Sequence, residues 1–212
     1  MSTIGFYKSL NNMEERECIE KFLIFNASLV ISEAKPSATI TLKKGIDSIY
    51  EKWCKYGEKF LKSIDINYIS LRECENALII LVYDKKQLSN YIFKQENKHF
   101  LNKIGYSDEN DLDIYLEKLK RRYNEFNCPH ELGVFLGYPL EDVKDFMNCS
   151  TKKCLACGYW RVYNDYSTAK EVFNTYDMIK EKTVKYILKG DSAHKVFCNL
   201  KNIISELDGV AV

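Results

Sequence analysis

Four residues in the second half of the sequence have the types and the spacing of metal ligands. Cys128 and His130 are separated by a single proline, so both side chains can face one point from an extended turn. Cys154 and Cys157 form a Cys-x-x-Cys pair followed by Gly158, which is the spacing of a zinc knuckle. The stretch between His130 and Cys154 is long enough to hold a short helix and return. The pattern predicts a tetrahedral site for zinc or iron, with Cys128, His130, Cys154 and Cys157 as its ligands.

The same residues allow a second interpretation, in which the cysteines are reactive thiols. Cys128 is then a nucleophile with His130 as its base, or Cys154 and Cys157 form a redox pair. Redox Cys-x-x-Cys motifs usually begin a helix, whereas the residues after Cys157 have the pattern of a strand. Glu131, next to His130, is the carboxylate that an acid–base scheme would need. This alternative is a thiol- or His-dependent enzyme whose substrate the sequence does not specify.

A third interpretation is a binding or regulatory module with an aromatic pocket. Aromatic side chains cluster near the cysteine motifs, and Arg161 among them supplies a cation for an anionic ligand. Lys35, which precedes a proline in a predicted loop, is a second candidate anion contact. The predicted ligand-binding residues are Lys35, Glu131, Tyr138, Tyr159, Trp160 and Arg161. The structural alternative is that these aromatic side chains only pack the sheet against the helices. We favour a metal- or small-ligand-binding regulatory or accessory module over the enzyme.

Composition argues against several broad classes of protein. Among the 212 residues, 31 Lys and Arg balance 30 Asp and Glu, so the net charge of +1 gives no general attraction to nucleic acid. Residues 131–147 have a faint helix-turn-helix pattern, but Glu141 and Asp142 would repel phosphates. The longest apolar run, residues 77–83, is far shorter than the ~20 residues of a membrane span, and there is no signal-peptide pattern. We therefore predict a cytoplasmic protein that binds a small molecule or a protein partner, with nucleic acid disfavoured and no membrane contact.

The eight cysteines of a cytoplasmic protein are expected to be reduced. They then serve as small buried residues, metal ligands or reactive thiols. Cys18, Cys54, Cys74 and Cys198 lie in ordinary helix or strand patterns, which predicts that they pack in the core.

Hydrophobic periodicity predicts the elements that position these residues. Helices are predicted for residues 13–26, 46–61, 86–105, 112–123, 131–136, 140–147, 167–187 and 196–207. Strands are predicted for residues 38–42, 67–72, 77–83 and 159–163, with the middle two forming a hairpin whose second strand is buried on both faces. The prediction is an α+β fold with a small mixed or antiparallel sheet, a central hairpin and several amphipathic helices. We predict one domain over residues 1–212, with an N-terminal half to residue 126 and a C-terminal half from residue 127.

Segment 128–143 and strand 158–163 are predicted to be neighbours, because both are short apolar elements on either side of one short helix. If the protein is an enzyme, His130 and Glu131 should border a cavity. If the motif is structural, His130 should be buried and Glu131 should cap a helix or pair with a lysine.

Three stretches carry a resemblance to a known family. They are Lys35-Pro36-Ser37-Ala38, the run from His130 to Val143 and the run from Cys157 to Tyr163. Together they resemble the mainly clostridial family catalogued as domain of unknown function 3793. Its pattern has a single cysteine before the Gly-Tyr-Trp triplet, which matches Cys157, while Cys128 and Cys154 fall outside it. The resemblance implies no activity.

Overall fold

A three-stranded antiparallel sheet is the centre of the computed structural model, which describes residues 3–148 and 151–203. Its strands are β1 (Ser37–Lys43), β2 (Asn67–Glu73) and β3 (Ala77–Tyr83), in the order β1-β3-β2. Ile40 of β1 lies opposite Ile80 of β3. The α+β class and the hairpin predicted from the sequence are confirmed, and its second strand is the middle strand of the sheet.

Each face of the sheet carries its own apolar cluster. Leu78, Ile80 and Val82 of β3 belong to the first cluster, whereas Leu81 and Tyr83 belong to the second. Successive side chains of a strand point to opposite faces. The strand is apolar throughout because helices cover both of its faces.

Helices surround this sheet along the whole described chain. They are α1 (Thr3–Leu10), α2 (Glu15–Ile31), α3 (Ile49–Lys52), α4 (Glu58–Ser63), α5 (Lys85–Ile92), α6 (Gln95–Lys103), α7 (Leu112–Phe126), α8 (Leu132–Phe135), α9 (Leu140–Met147), α10 (Tyr166–Leu188) and α11 (Ala193–Lys201). A π-helical turn, Trp53–Gly57, joins α3 to α4. Among the described residues no helix is both long and apolar enough to cross a membrane.

The first cluster forms around α2, which packs against α10, α11 and the sheet. Residues on nearly every side of α2 are buried. The helix continues past its predicted end at residue 26 to Ile31. A helix that is apolar all round belongs in a core. The second cluster is formed by residues of α5 to α9 together with Leu71 and β3.

Several predicted boundaries are wrong by a few residues, and the caps explain two of them. The helix predicted from residue 46 begins at Ile49, because Ser48 forms a capping box with Glu51. Helix α10 begins at Tyr166 rather than at Ser167, since the Asp165 carboxylate accepts a hydrogen bond from the Thr168 N–H at 3.0 Å. Helix α1 was not predicted. The predicted continuation of the last helix through residues 204–207 lies outside the described residues.

The strand predicted for residues 159–163 is a much shorter element. Two-residue strands β4 (Ala156–Cys157) and β5 (Arg161–Val162) form a small hairpin in which Cys157 lies opposite Arg161. Residues 158–160 form its turn, where the Gly158 N–H donates to the Trp160 carbonyl at 3.0 Å. The aromatic residues predicted to form a strand are partly turn residues for this reason.

All seven cysteines of the described chain are free thiols. Cys18 is buried, as predicted. Cys54, Cys74 and Cys198 are exposed, so the prediction that they pack in the core is wrong for these three. Cys54 and Cys198 share their elements with buried residues, and Cys74 lies in the turn between β2 and β3, but all three side chains lie on the solvent side.

Candidate functional site

The run from Cys128 to Val143 folds into two short helices, α8 and α9, joined by a tight turn. The turn needs a glycine at position 137, where φ is +77° and an added Cβ would lie 2.6 Å from the Pro36 ring. A Cβ at Gly133 would lie 2.8 Å from Val143, so this glycine lets α8 and α9 approach closely. The Ser37 hydroxyl fixes α8 to the sheet by donating to the Phe135 carbonyl at 2.8 Å.

A buried carboxylate, Asp142, joins α9 to the small hairpin. It is only 4% exposed, and its Oδ2 accepts a hydrogen bond from the Trp160 indole at 2.8 Å. Its Oδ1 accepts from the backbone N–H groups of Tyr163 and Asn164 and from the Asn164 amide, at 2.8 to 3.1 Å. These contacts confirm the prediction that the two segments are neighbours.

A second buried carboxylate, Glu131, anchors the start of α8 to α7. It is 1% exposed, and its Oε1 contacts the Arg122 guanidinium and accepts a hydrogen bond from the Tyr106 hydroxyl at 3.2 Å. Glu131 also raises the pKa of Arg122, chiefly through this hydrogen bond. Burial, followed by the charge of Glu131, raises the pKa of Tyr106, which therefore stays a neutral donor. Glu131 is thus committed to a structural ion pair, with an arginine rather than the lysine of our prediction.

A cavity of about 370 Å³ lies between α8, α9 and the small hairpin. We call it the aromatic pocket. Its apolar walls include Leu132, Leu136, Tyr138, Val143, Phe146 and Trp160. Its polar lining comes from Cys128, His130, Asp142 and Arg161. This size and this balance of many apolar walls with few polar groups are typical of small-molecule sites.

Ring contacts give the aromatic pocket its shape. The Tyr138 and Trp160 rings are stacked, with centroids 5.5 Å apart and an interplanar angle of 30°. Phe146 receives the His130 ring at 4.8 Å and the Arg161 guanidinium at 5.5 Å. Arg161 is exposed and forms no ion pair with any residue in the described part of the chain. The pocket therefore has flat walls and a cation without a carboxylate partner.

The thiol of Cys128, which lines the aromatic pocket, interacts with two tyrosines. Burial, followed by the charge of Cys128 and a side-chain hydrogen bond with it, raises the pKa of Tyr123 to about 12. Burial, and then the proximity of Cys128, also raises the pKa of Tyr138. Both phenols are therefore neutral hydrogen-bonding groups beside an exposed thiol.

The predicted metal ligands are only partly brought together. Cys128 and His130 line the aromatic pocket, but Cys154 and Cys157 do not. In residues 3–148 and 151–203, no three Cys, His, Asp or Glu side chains are grouped so that they could hold a metal ion. The knuckle expected at residues 154–158 is instead the strand β4 and its flanks, and the Cys154 thiol donates to the Ala156 carbonyl at 3.1 Å. The metal site stays a prediction without geometric support.

The predicted ligand-binding residues separate into two groups. Tyr138, Trp160 and Arg161 line the aromatic pocket, whereas Lys35, Glu131 and Tyr159 do not. The Tyr159 hydroxyl donates to Asp177 at 2.8 Å, and its ring packs against Phe173 and Tyr176. Tyr159 therefore packs the hairpin on α10, as the structural alternative proposed.

Sequence reasoning missed Asp142 as the residue that closes the aromatic pocket and Phe146 as part of its wall. Asp142 lies three positions after Pro139, at the start of α9, but the sequence does not mark it as buried. Glu141 beside it is equally acidic and is exposed. His130 lines the pocket and is exposed, which is what we expected of an enzyme. Glu131 does not line the pocket and is in a buried ion pair, which is what we expected of a structural motif.

Comparison with known proteins gives one match. The model of a family described as Protein of unknown function (DUF3793) matches residues 23–197, which include the sheet, both short helices and the small hairpin. Neither the curated proteins nor the solved structures contain a match to the chain.

Proposed function

The chain belongs to this family of unknown function, as its sequence resemblance predicted, and we propose a function from the aromatic pocket alone. The protein is a cytoplasmic binding module whose ligand is a small, planar, largely apolar molecule with one anionic group. The observation that carries the proposal is a cavity of about 370 Å³ with aromatic walls and one unpaired cation. The mainly clostridial distribution of the family stays a prediction.

The walls of the aromatic pocket support a planar ligand. Tyr138, Phe146 and Trp160 present ring surfaces, and offset stacking on such rings contributes about 0.5–1.5 kcal/mol beyond the burial of apolar area. Trp160 is held in place by its hydrogen bond to Asp142, and both Asp142 oxygens accept hydrogen bonds from the protein. The pocket is therefore rigid on one side and offers shape rather than many polar contacts.

Arg161 supports an anionic group on that ligand. Its guanidinium lies over Phe146 at the edge of the pocket and has no carboxylate partner among the described residues. Guanidinium groups bind carboxylates with two parallel hydrogen bonds. We expect the apolar part of the ligand to lie inside and its carboxylate to lie at the rim.

A matched pair of probes tests this proposal. We expect 2-naphthoate to change the fluorescence of Trp160 on binding, and its neutral amide, 2-naphthamide, to bind about fivefold more weakly, which corresponds to about 1 kcal/mol for an exposed charge pair. The Arg161→Gln variant should bind both probes with the weaker affinity. Arg121→Gln, which changes an exposed arginine of α7 away from the pocket, is the control and should bind like the wild type.

Two outcomes would contradict the proposal. If neither probe changes the signal of Trp160, while a Trp160→Phe variant shows that this residue is observable, the pocket does not accept planar ligands. If both probes bind equally to wild type and to Arg161→Gln, the anionic part of the proposal is wrong and only the apolar part remains.

A thiol-dependent enzyme is the second candidate, because Cys128 and His130 line one cavity. No hydrogen bond joins these two side chains in the described chain, so the catalytic contact would have to form with substrate. Alkylation by iodoacetamide is the discriminating measurement. An enzyme requires Cys128 to react faster than the exposed Cys198, whereas equal rates would remove this candidate.

A further inference from the structure

A second cavity, of about 320 Å³, lies on the other side of the turn that contains Gly137. It is bounded by the segment before β1 and by helix α5 with the residues after it. We call it the lysine cavity. The residues that matter for its chemistry are Glu33, Lys35, Gln87, Asn90, Tyr91 and Lys94. It is thus lined mainly by hydrogen-bond donors, unlike the aromatic pocket.

The Lys35 residue is mostly buried, while its Nζ keeps some contact with solvent and has no counter-charge among the described residues. It is 6% exposed, and its Nζ lies 4.9 Å from the centroid of the Tyr138 ring. It forms no ion pair and no side-chain hydrogen bond with any described residue. Burial lowers the pKa of Lys35 to about 8. Lysines are rarely buried unless they are paired, so this one lacks a partner that an anion could supply.

Lys180 on α10 increases the positive charge around Lys35. Its Nζ donates to the Phe25 carbonyl at 2.6 Å and lies 4.3 Å from the centroid of the Phe25 ring. Burial, followed by the positive charge of Lys35, lowers the pKa of Lys180 to about 7. The ammonium groups of the buried Lys35 and the partly buried Lys180 therefore repel each other, and no described carboxylate forms an ion pair with either of them.

Gln87 supplies an independent observation. Its Nε2 is buried and has no hydrogen-bond partner, which is true of no other buried side-chain nitrogen or oxygen in the described residues. A buried donor without an acceptor costs about 1–3 kcal/mol. An acceptor atom bound in the lysine cavity would remove this cost.

The one carboxylate at the cavity, Glu33, is directed to another partner. It is exposed, and its Oε1 lies 3.5 Å from Lys201 on α11. The Tyr91 hydroxyl is also engaged, because it donates to the Tyr138 carbonyl at 2.8 Å. Lys35, Gln87, Asn90 and Lys94 remain as donors.

We propose that the lysine cavity binds the phosphate group of a small phosphorylated molecule. Two ammonium groups and two amide groups offer more N–H donors than the two oxygens of a carboxylate can accept, whereas a phosphate monoester has three terminal oxygens. The cavity is larger than a phosphate ion, so the remainder of the ligand also lies within it. This site is separate from the aromatic pocket and does not depend on the function proposed there.

Thermal unfolding in the presence of inorganic phosphate and of phenyl phosphate tests the site at constant ionic strength. We expect the Tm of the wild type to rise by about 3–5 °C at ten times the Kd of phenyl phosphate. Lys35→Met should raise the Tm of the ligand-free protein and abolish the response to both probes. Gln87→Leu should weaken phenyl phosphate binding about tenfold. Lys86→Met, an exposed neighbour on α5, is the matched control and should respond like the wild type.

The proposal fails if the wild type responds to neither probe or if Lys35→Met keeps the full response. A response to benzoate as large as that to phenyl phosphate would show that the site does not select phosphate. If Lys35→Met does not fold, NMR of the wild type decides the question. Binding of phosphate must then shift the side-chain amide signal of Gln87, and an unchanged signal at saturation would overturn the assignment.

Discussion

The aromatic pocket and the lysine cavity differ in whether their buried charged residues have partners. Beside the aromatic pocket, Asp142 accepts four hydrogen bonds and Glu131 is paired with Arg122 and Tyr106. In the lysine cavity, Lys35 is just as well buried but has no ion pair or hydrogen bond with a described residue. The two regions meet at the turn that contains Gly137, and their charged residues are buried to a similar extent. The difference therefore lies in the partners of the charges and not in their degree of burial.

This difference separates two roles for a buried charge. A buried charge whose hydrogen bonds are satisfied holds segments together, and its removal leaves partners unpaired. A buried charge without partners only destabilises the free protein, and its removal should stabilise it. The sign of the stability change therefore distinguishes a structural charge from one that awaits a ligand.

Asp142→Ala tests the structural side and has the largest expected effect. It leaves the Trp160 indole and two backbone N–H groups without acceptors, so the free energy of unfolding should fall by about 4 kcal/mol. Urea denaturation monitors this loss. The neighbouring Glu141→Gln, which changes an exposed residue, should alter it by less than about 0.5 kcal/mol. Equal effects of the two substitutions would refute the structural role of Asp142.

Glu131→Gln should lower the free energy of unfolding by about 3 kcal/mol, because it breaks a buried ion pair and leaves the charge of Arg122 uncompensated. The same denaturation experiment measures it. Glu117→Gln, at an exposed position of α7, is the control and should have little effect. A loss below about 1 kcal/mol for Glu131→Gln would mean that water already compensates Arg122.

Lys35→Met should have the opposite sign and stabilise the ligand-free protein by about 2 kcal/mol at pH 7. The pKa of Lys35 falls from 10.5 unfolded to about 8 folded. Below pH 8 both states are protonated and the full penalty is present, and between pH 8 and 10.5 the unfolded state holds more protons, so wild-type stability rises with pH. The gain from the substitution should thus shrink between about pH 8 and pH 10.5.

Urea denaturation at several pH values measures this trend. Lys180 contributes in the same direction from about pH 7, and part of its shift disappears in Lys35→Met, since Lys35 helps to cause it. Lys86→Met supplies the comparison for an exposed lysine. A destabilised Lys35→Met variant would show that Lys35 is structural. Loss of a buried charge would then destabilise the protein in both regions.

Arg161→Gln should have the smallest effect on stability, below about 0.5 kcal/mol without ligand, because an exposed guanidinium remains solvated. Arg121→Gln should behave alike in the same denaturation experiment. A loss above about 1 kcal/mol for Arg161→Gln would show that its contact with Phe146 holds the small hairpin on α9, which would make the cation structural.

Local patterns were sufficient to predict much of the fold from the sequence. Strand β3 has seven consecutive apolar residues, and Pro139 marks the start of α9. The adjacency of the 128–143 segment to the small hairpin also followed, because both are short apolar elements on either side of one short helix. Each of these features depends on residues that are close in the chain.

Features that depend on distant contacts were not predictable in the same way. The role of Asp142 depends on Trp160 and Asn164, and the uncompensated charge of Lys35 depends on α5 and α10. The Cys-x-x-Cys spacing suggested a knuckle, but the pairing of Ala156 with Val162 makes the segment a strand. Sequence spacing alone does not say which partner a polar side chain meets.

Tyr138 belongs to the structure of both cavities. Its ring stacks on Trp160 and lies below the Lys35 ammonium, and its carbonyl accepts the Tyr91 hydroxyl. A ligand in the aromatic pocket therefore contacts Tyr138, whose ring lies against Lys35 of the lysine cavity. Thermodynamic linkage requires reciprocity between the two sites: the factor by which phosphate changes the affinity for a planar anion equals the factor by which that anion changes the affinity for phosphate. If the two proposed ligands bind, any coupling that the contact between Tyr138 and Lys35 transmits would therefore be equal in both directions.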